Sequence, residues 1–114
     1  MTKEKIPCIK VKPPGKKASE WVKKDNKYVS RSYTRTYPLV VERAYGMTVE
    51  DVDGNRYLDF TAGIATCSTG HCHPRIVDAI TRQSNKLIHM SGTDFYYLSQ
   101  IKLAEKLSKI TPGK

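Results

Sequence analysis

Cys67, His71, Cys72 and His73 crowd thiols and imidazoles, the ligands zinc prefers, into one short stretch. The spacing does not suit the metal. Cys72 and His73 are adjacent and no second pair follows downstream, whereas a structural zinc site draws two separated pairs to close a tetrahedron, so no metal site is expected. A Cys/His nucleophile pair is equally unsupported, because no carboxylate to orient the imidazole and no oxyanion donors stand at recognisable spacings. The lysines could form imines with a carbonyl compound, but an activated lysine needs burial or a cationic neighbour, and none is predicted. No catalytic, cofactor-binding or metal-binding residue is therefore assigned.

What remains is a stretch of small residues, Gly63-Ile64-Ala65-Thr66-Cys67-Ser68-Thr69-Gly70, in which only Ile64 is large. It lets the backbone run close to protein or ligand. Patterned segments flank it. Leu39 to Arg43 is β-branched and reads as a short strand after Pro38, ended by Gly46. Residues 47–52 and 56–60 alternate around Asp53-Gly54, the strongest short hairpin signal, with a bulge or register adjustment expected near Asp51. Pro74 opens an amphipathic helix over about 74–88, and a second runs over about 98–110 before Pro112-Gly113. Upstream, Ser19 is the expected N-cap of a short helix over 19–29. Residues 1–17, with Pro7 and Pro13-Pro14-Gly15, read as an extended, mobile or loosely docked arm. The resulting class is α+β, with many apolar faces and little sheet to cover them.

The chain has 114 residues, room for at most one modest domain, and its 39% hydrophobic and 27% charged content is that of a globular protein. No apolar run approaches the roughly 18–20 residues that a bilayer crossing needs, and the lysine-rich start lacks a secretory apolar stretch, so a soluble, cytoplasmic protein is expected. Three cysteines form no disulfide framework. The net charge of +9 is lopsided: residues 1–37 hold eleven Lys or Arg against three acids, and the rest is nearly neutral. A basic arm interleaved with Trp21, Tyr28, Tyr33 and Tyr37 fits a stand-alone module on a nucleic acid backbone, but a solvated surface is the favoured reading and nucleic acid the disfavoured partner.

The run Gly46-Met47-Thr48-Val49-Glu50-Asp51-Val52-Asp53-Gly54-Asn55-Arg56-Tyr57-Leu58-Asp59-Phe60-Thr61-Ala62-Gly63-Ile64-Ala65, followed by Gly70-His71-Cys72-His73-Pro74, closely resembles class III pyridoxal-phosphate aminotransferases. The resemblance extends from about Tyr33 to Gly113 and is strongest to the branch with 4-aminobutyrate aminotransferases and related amino-acid racemases. It implies the N-terminal segment of a fold type I enzyme, a soluble homodimer about fourfold longer. Residues 1–30 would form a basic arm and short helix, and 31–114 a small-domain segment that stops before the cofactor-binding domain.

The resemblance further implies that the phosphate-cradling loop, the Schiff-base lysine, the pyridinium-pairing aspartate and the carboxylate-binding arginine all follow Lys114. Pyridoxal 5'-phosphate would then serve the full-length enzyme without binding stably to this part, which is expected to be inactive alone. The parent reaction would pass an amino group from 4-aminobutyrate or a related amino acid to a 2-oxo acid, with racemisation as the alternative. Ser91-Gly92-Thr93-Asp94 imitates the phosphate loop, but Phe95 follows it and it precedes a helix where the family loop follows a strand. Its expected role is a loop at the substrate pocket or dimer interface. The implied substrate-binding residues are Ile64, Gly63 and Thr93, with Tyr33, Arg35 and Tyr37 near the active-site mouth. Unmatched apolar helix faces also allow a regulatory subunit that pairs with a full-length relative.

Overall fold

The computed structural model describes residues 5–113; the first four residues of the expected arm lie outside them. The described residues form two compact units that divide between Val77 and Asp78. In the first, α1 (Lys16–Tyr28) precedes a three-stranded antiparallel sheet of β1 (Val41–Tyr45), β2 (Thr48–Asp51) and β3 (Arg56–Leu58), ordered β1-β2-β3. A single turn, α2 (Ala62–Ala65), follows, and α3 (Pro74–Ser84) runs across the boundary between the units. The second unit carries α4 (Leu98–Ile110).

The expected hairpin is present, with Val49 opposite Tyr57 and Glu50 opposite Arg56. Its loop is Val52–Gly54. Asp51 N donates to Asn55 O at 3.0 Å, Gly54 N donates to Asp51 O at 2.9 Å, and Gly54 has φ +84°, the left-handed value that a bulge glycine supplies at the end of a three-residue loop. The register adjustment expected near Asp51 is found on the facing strand, where Glu42 is the extra residue between Val41, opposite Asp51, and Arg43, opposite Glu50. β1 itself starts two residues later than expected and runs up to Gly46.

The fully buried centre is more polar than apolar: Ala18 and Val49 are its hydrophobic members, Asp51 and Asn55 its polar ones. Asn55 Nδ2 donates to Asp51 Oδ2 and its backbone N to Asp51 Oδ1, both at 2.8 Å, and Tyr57 Oη donates to Asp51 Oδ2 at 2.9 Å. Burial alone would raise the Asp51 carboxyl, but the hydrogen bonds from Asn55, Tyr57 and Asp53 outweigh it and hold the group below its ordinary value. Burial and the neighbouring Asp51 charge push the Tyr57 hydroxyl up, which keeps it a donor. On the opposite face Glu50 bridges Arg43 at 2.7 Å and Arg56 at 2.9 Å across all three strands. These arginines lower the Glu50 carboxyl.

The arm is not loose where it is described. Lys10 N and Val11 N both donate to Asn55 Oδ1, at 2.7 and 2.8 Å, and Cys8 exchanges two backbone hydrogen bonds with Arg56. The first helix likewise starts before the expected Ser19, at Lys16 with Gly15 as N-cap. Its first-turn donors are satisfied from the hairpin loop: Asp53 accepts from Lys17 N at 3.1 Å and Ala18 N at 3.0 Å. Ser19 Oγ instead donates back to Gly15 O. Gly15 serves space here, not conformation, since its φ is an ordinary −72° while an added Cβ would meet the Asp53 carboxyl carbon at 2.3 Å.

α4 covers the expected range, but α3 ends at Ser84 instead of about 88, and Lys86 and Leu87 turn back onto the Gln83 carbonyl. The apolar residues of both helices, including Ile80, Leu103 and Ile110, are exposed. No helix is long and apolar enough to cross a membrane among the described residues.

Candidate functional site

The small-residue stretch begins as a turn of the opposite hand to an ordinary helix. Ala62, Gly63, Ile64 and Ala65 have φ of +50°, +63°, +56° and +60°. Left-handed backbone brings Cβ against the following carbonyl and costs roughly 1–2 kcal/mol for each non-glycine residue, so the three here store about 3–6 kcal/mol. A β-branched residue at positive φ, as Ile64 is, marks a constrained site. Ala65 N donates to Thr61 O and Cys67 N to Ala62 O, each at 2.8 Å, which closes the turn. Its apex turns outward: Ile64 is 93% exposed and Phe60 91%.

Asp59 anchors the entry to this turn. Its Oδ1 accepts from Thr61 N and Thr61 Oγ1 at 2.8 Å and from Ala62 N at 3.0 Å, and its Oδ2 lies 2.7 Å from His71 Nε2. The hydrogen bond from His71, with those from Thr61, holds the Asp59 carboxyl well below the usual carboxylate range. The carboxylate is ionised, so His71 Nε2–H is the donor. His71 is itself fixed to the sheet through a pair of 2.9 Å backbone bonds with Gly46. The other imidazole, His73, receives Ile76 N and Val77 N on its carbonyl at the start of α3, and its Nδ1 is buried without a partner. The two histidines thus hold the loop and the helix start, one by its ring and the other by its backbone.

Gly63 and Ile64 are therefore brought together on one strained, outward-facing turn of the first unit. Thr93 belongs to the second unit, in the loop before α4, where Ser91 Oγ lies 2.9 Å from Thr93 Oγ1 and donates to Asp94 Oδ2 at 2.6 Å. The Ser91 hydroxyl is thus already taken by a carboxylate of its own loop. Tyr33, Arg35 and Tyr37 lie in the connector after α1. Arg35 pairs with Asp25 at 3.1 Å and sits over the Tyr33 ring. Arg35 and Tyr37, with Trp21 and Tyr28 of α1, line an open groove of about 810 Å³. Lys24 stands over Trp21, and Lys27 over Tyr28, so part of the basic charge rests on aromatic faces.

Sequence reasoning missed Asp59 and the hold that His71 has on it. The signal was present: an Asp-x-Thr pattern closes an Asx-type turn onto the backbone two residues on.

Comparison with known proteins gives the family. The family model "Aminotransferase class-III" matches residues 28–114. The chain is 43% identical over 98 residues to isoleucine 2-epimerase of Lentilactobacillus buchneri, covering 85% of this chain and 22% of that protein. It is 46% identical over 91 residues to acetylornithine aminotransferase of Archaeoglobus fulgidus, covering 80% and 24%. The structure of Plasmodium falciparum ornithine delta-aminotransferase superposes with a TM-score of 0.75 at 28% identity, over 82% of this chain and 24% of that one. The chain thus spans just under a quarter of the length of the relatives it matches. With the hairpin, the turn at Ile64 and the helix start at Pro74 all inside the matched region, the chain belongs to the class III aminotransferase family.

Proposed function

We propose that this chain supplies the N-terminal, substrate-facing part of a class III enzyme that transfers the amino group of an amino acid, 4-aminobutyrate or a related donor, to a 2-oxo acid. The observation that carries the reading is the turn that projects Ile64, since a branched apolar side chain held outward on rigid backbone suits contact with an aliphatic substrate chain. Gly63, with nothing near the place of a side chain, leaves room for the substrate beside it. The enzyme works in the cytoplasm as a homodimer.

The described residues do not fit the family's cofactor, pyridoxal 5'-phosphate. Every described lysine is exposed, whereas an imine-forming lysine needs a desolvated or cationic setting, and the Ser91–Asp94 loop already holds a carboxylate. The cofactor of the whole enzyme is held by residues other than these. The part described here shapes one wall of the pocket: the turn excludes water from one side of the donor chain and orients it by contact with Ile64. Epimerisation or racemisation at the amino-bearing carbon is the second reading, supported by the similarity to isoleucine 2-epimerase.

The protein as its gene encodes it, purified with added cofactor, is to be incubated with an amino donor and a 2-oxo acid. Formation of the new amino acid, dependent on the oxo acid, supports transfer; loss of donor chirality without it supports the second reading. Borohydride trapping of the cofactor on a lysine among residues 5–109, or turnover by residues 1–114 alone, would overturn the division of roles.

A further inference from the structure

The hydrogen bonds of Asp59 go to His71, Thr61 and Ala62, and so engage the backbone on which Ile64 is carried. One carboxylate oxygen takes three hydrogen bonds from Thr61 and Ala62, and the other takes the imidazole. The imidazole in turn is locked to Gly46 at the end of β1 by two backbone bonds. A continuous path of hydrogen bonds therefore runs from the sheet through His71 and Asp59 to the first residue of the left-handed turn. The stored strain of that turn needs such an anchor, because in its absence Ala62, Ile64 and Ala65 would relax toward negative φ and swing the Ile64 side chain elsewhere.

We propose that Asp59, held by His71, is a positioning residue: it fixes the left-handed turn and thereby sets the substrate selectivity that Ile64 imposes. This rests on the reading of Ile64 as a substrate contact. It adds that discrimination by chain length is controlled from a carboxylate that never meets the substrate. A one-carbon difference against a fixed apolar wall is worth about 10–200-fold in kcat/KM. The same wall on a loosened turn loses most of that ratio.

Three variants of the protein as encoded test this, each compared with the wild type. Asp59→Ala removes the acceptors that Thr61, Ala62 and His71 use, and His71→Gln keeps a donor toward Asp59 where His71→Ala removes it. Glu50→Gln, which weakens the Arg43 and Arg56 pairs of the same sheet without touching the turn, is the control. Two quantities are read: hydrogen exchange of a peptide over residues 60–67, and the kcat/KM ratio between a four-carbon ω-amino acid and its three-carbon homologue. Exchange is expected to rise about tenfold or more in Asp59→Ala and His71→Ala, with the ratio falling about tenfold. His71→Gln and Glu50→Gln should keep both near wild type.

Unchanged exchange in Asp59→Ala overturns the proposal, as does raised exchange with an unchanged ratio. If the wild type turns over neither donor, the functional reading falls by itself. Exchange then decides the clamp alone, elevated values upholding it and wild-type values refuting it.

Discussion

Replacing Asn55 by alanine removes the side chain that joins three parts of the first unit. Its Oδ1 receives the Lys10 and Val11 amides, its Nδ2 satisfies Asp51, and the residue is fully buried. Each amide bond contributes about 1 kcal/mol net, and the bond to the ionised Asp51 about 1.5–3 kcal/mol. If the arm stays docked, the loss sums to roughly 3–5 kcal/mol. If the arm lifts away, its exposed amides rehydrate and the loss shrinks to about 2 kcal/mol, the share of Asp51 alone. The two outcomes separate by assay: urea unfolding measures the total, and hydrogen exchange at residues 8–11 reports whether the arm has left. Asn55→Asp sharpens the test, since it keeps the acceptor for the arm but sets a second charge against Asp51. It should be destabilised at neutral pH and regain stability as acid protonates the pair. A loss below about 1 kcal/mol in Asn55→Ala, with exchange at residues 8–11 unchanged, would refute the reasoning.

Asp53→Ala should cost about 1–2 kcal/mol by uncapping α1, and Gly15→Ala a similar amount by driving the Asp53 carboxyl off the helix. Because both act on one cap, the double variant should lose little more than either single one, which a thermodynamic cycle measures; additive losses would disprove a shared origin. The Asp59 carboxyl ionises well below its ordinary value of 3.8, so its support for the turn is complete above that pH and disappears only as pH falls through the depressed value. Exchange over residues 60–67, followed between pH 5 and 2, should therefore stay slow past the midpoint of an ordinary aspartate; acceleration centred near pH 4 would contradict this. The exposed apolar residues of α4 should make residues 1–114 self-associate at micromolar concentrations, and Leu103→Glu with Ile110→Glu should reduce the sedimenting mass. A wild-type chain that sediments as a monomer would count against that.

Much of the local architecture could be read from the sequence because its causes are local. Gly54 and the alternation on either side of it specify the hairpin, and α4 matches its periodic range because Leu98, Ile101 and Ile110 repeat at helical spacing with Pro112 beyond. The start of α1 was not readable in the same way. Ser19 looks like a cap when only its neighbours are considered, but the group that satisfies the first turn is Asp53, which arrives from more than thirty residues downstream. The arm was misjudged for the same reason. Residues 8–11 have no periodicity of their own, and what orders them is an Asn55 acceptor and an Arg56 edge supplied by the hairpin.

The site shows the limit more sharply. Composition told that the backbone around Gly63 and Ile64 was permissive, yet permissiveness names no conformation, and a run of left-handed residues that includes two alanines and an isoleucine runs against every local preference. Such a conformation persists only where other contacts impose it, and those contacts, Asp59 with Thr61 and His71 with Gly46, lie in segments that read separately as strand end and helix lead-in. The same residues thus carry two kinds of information. In the Asp51, Asp53, Asn55 and Tyr57 motif, charge and amide groups are consumed by the fold: they bind the arm, cap α1 and satisfy one another's hydrogen bonds. In Asp59 and His71 they are consumed by one strained turn whose apex is left in the open. The fold thus spends polar groups on holding an apolar side chain outward in an unfavourable conformation, which is the observation on which the proposed role of Ile64 rests.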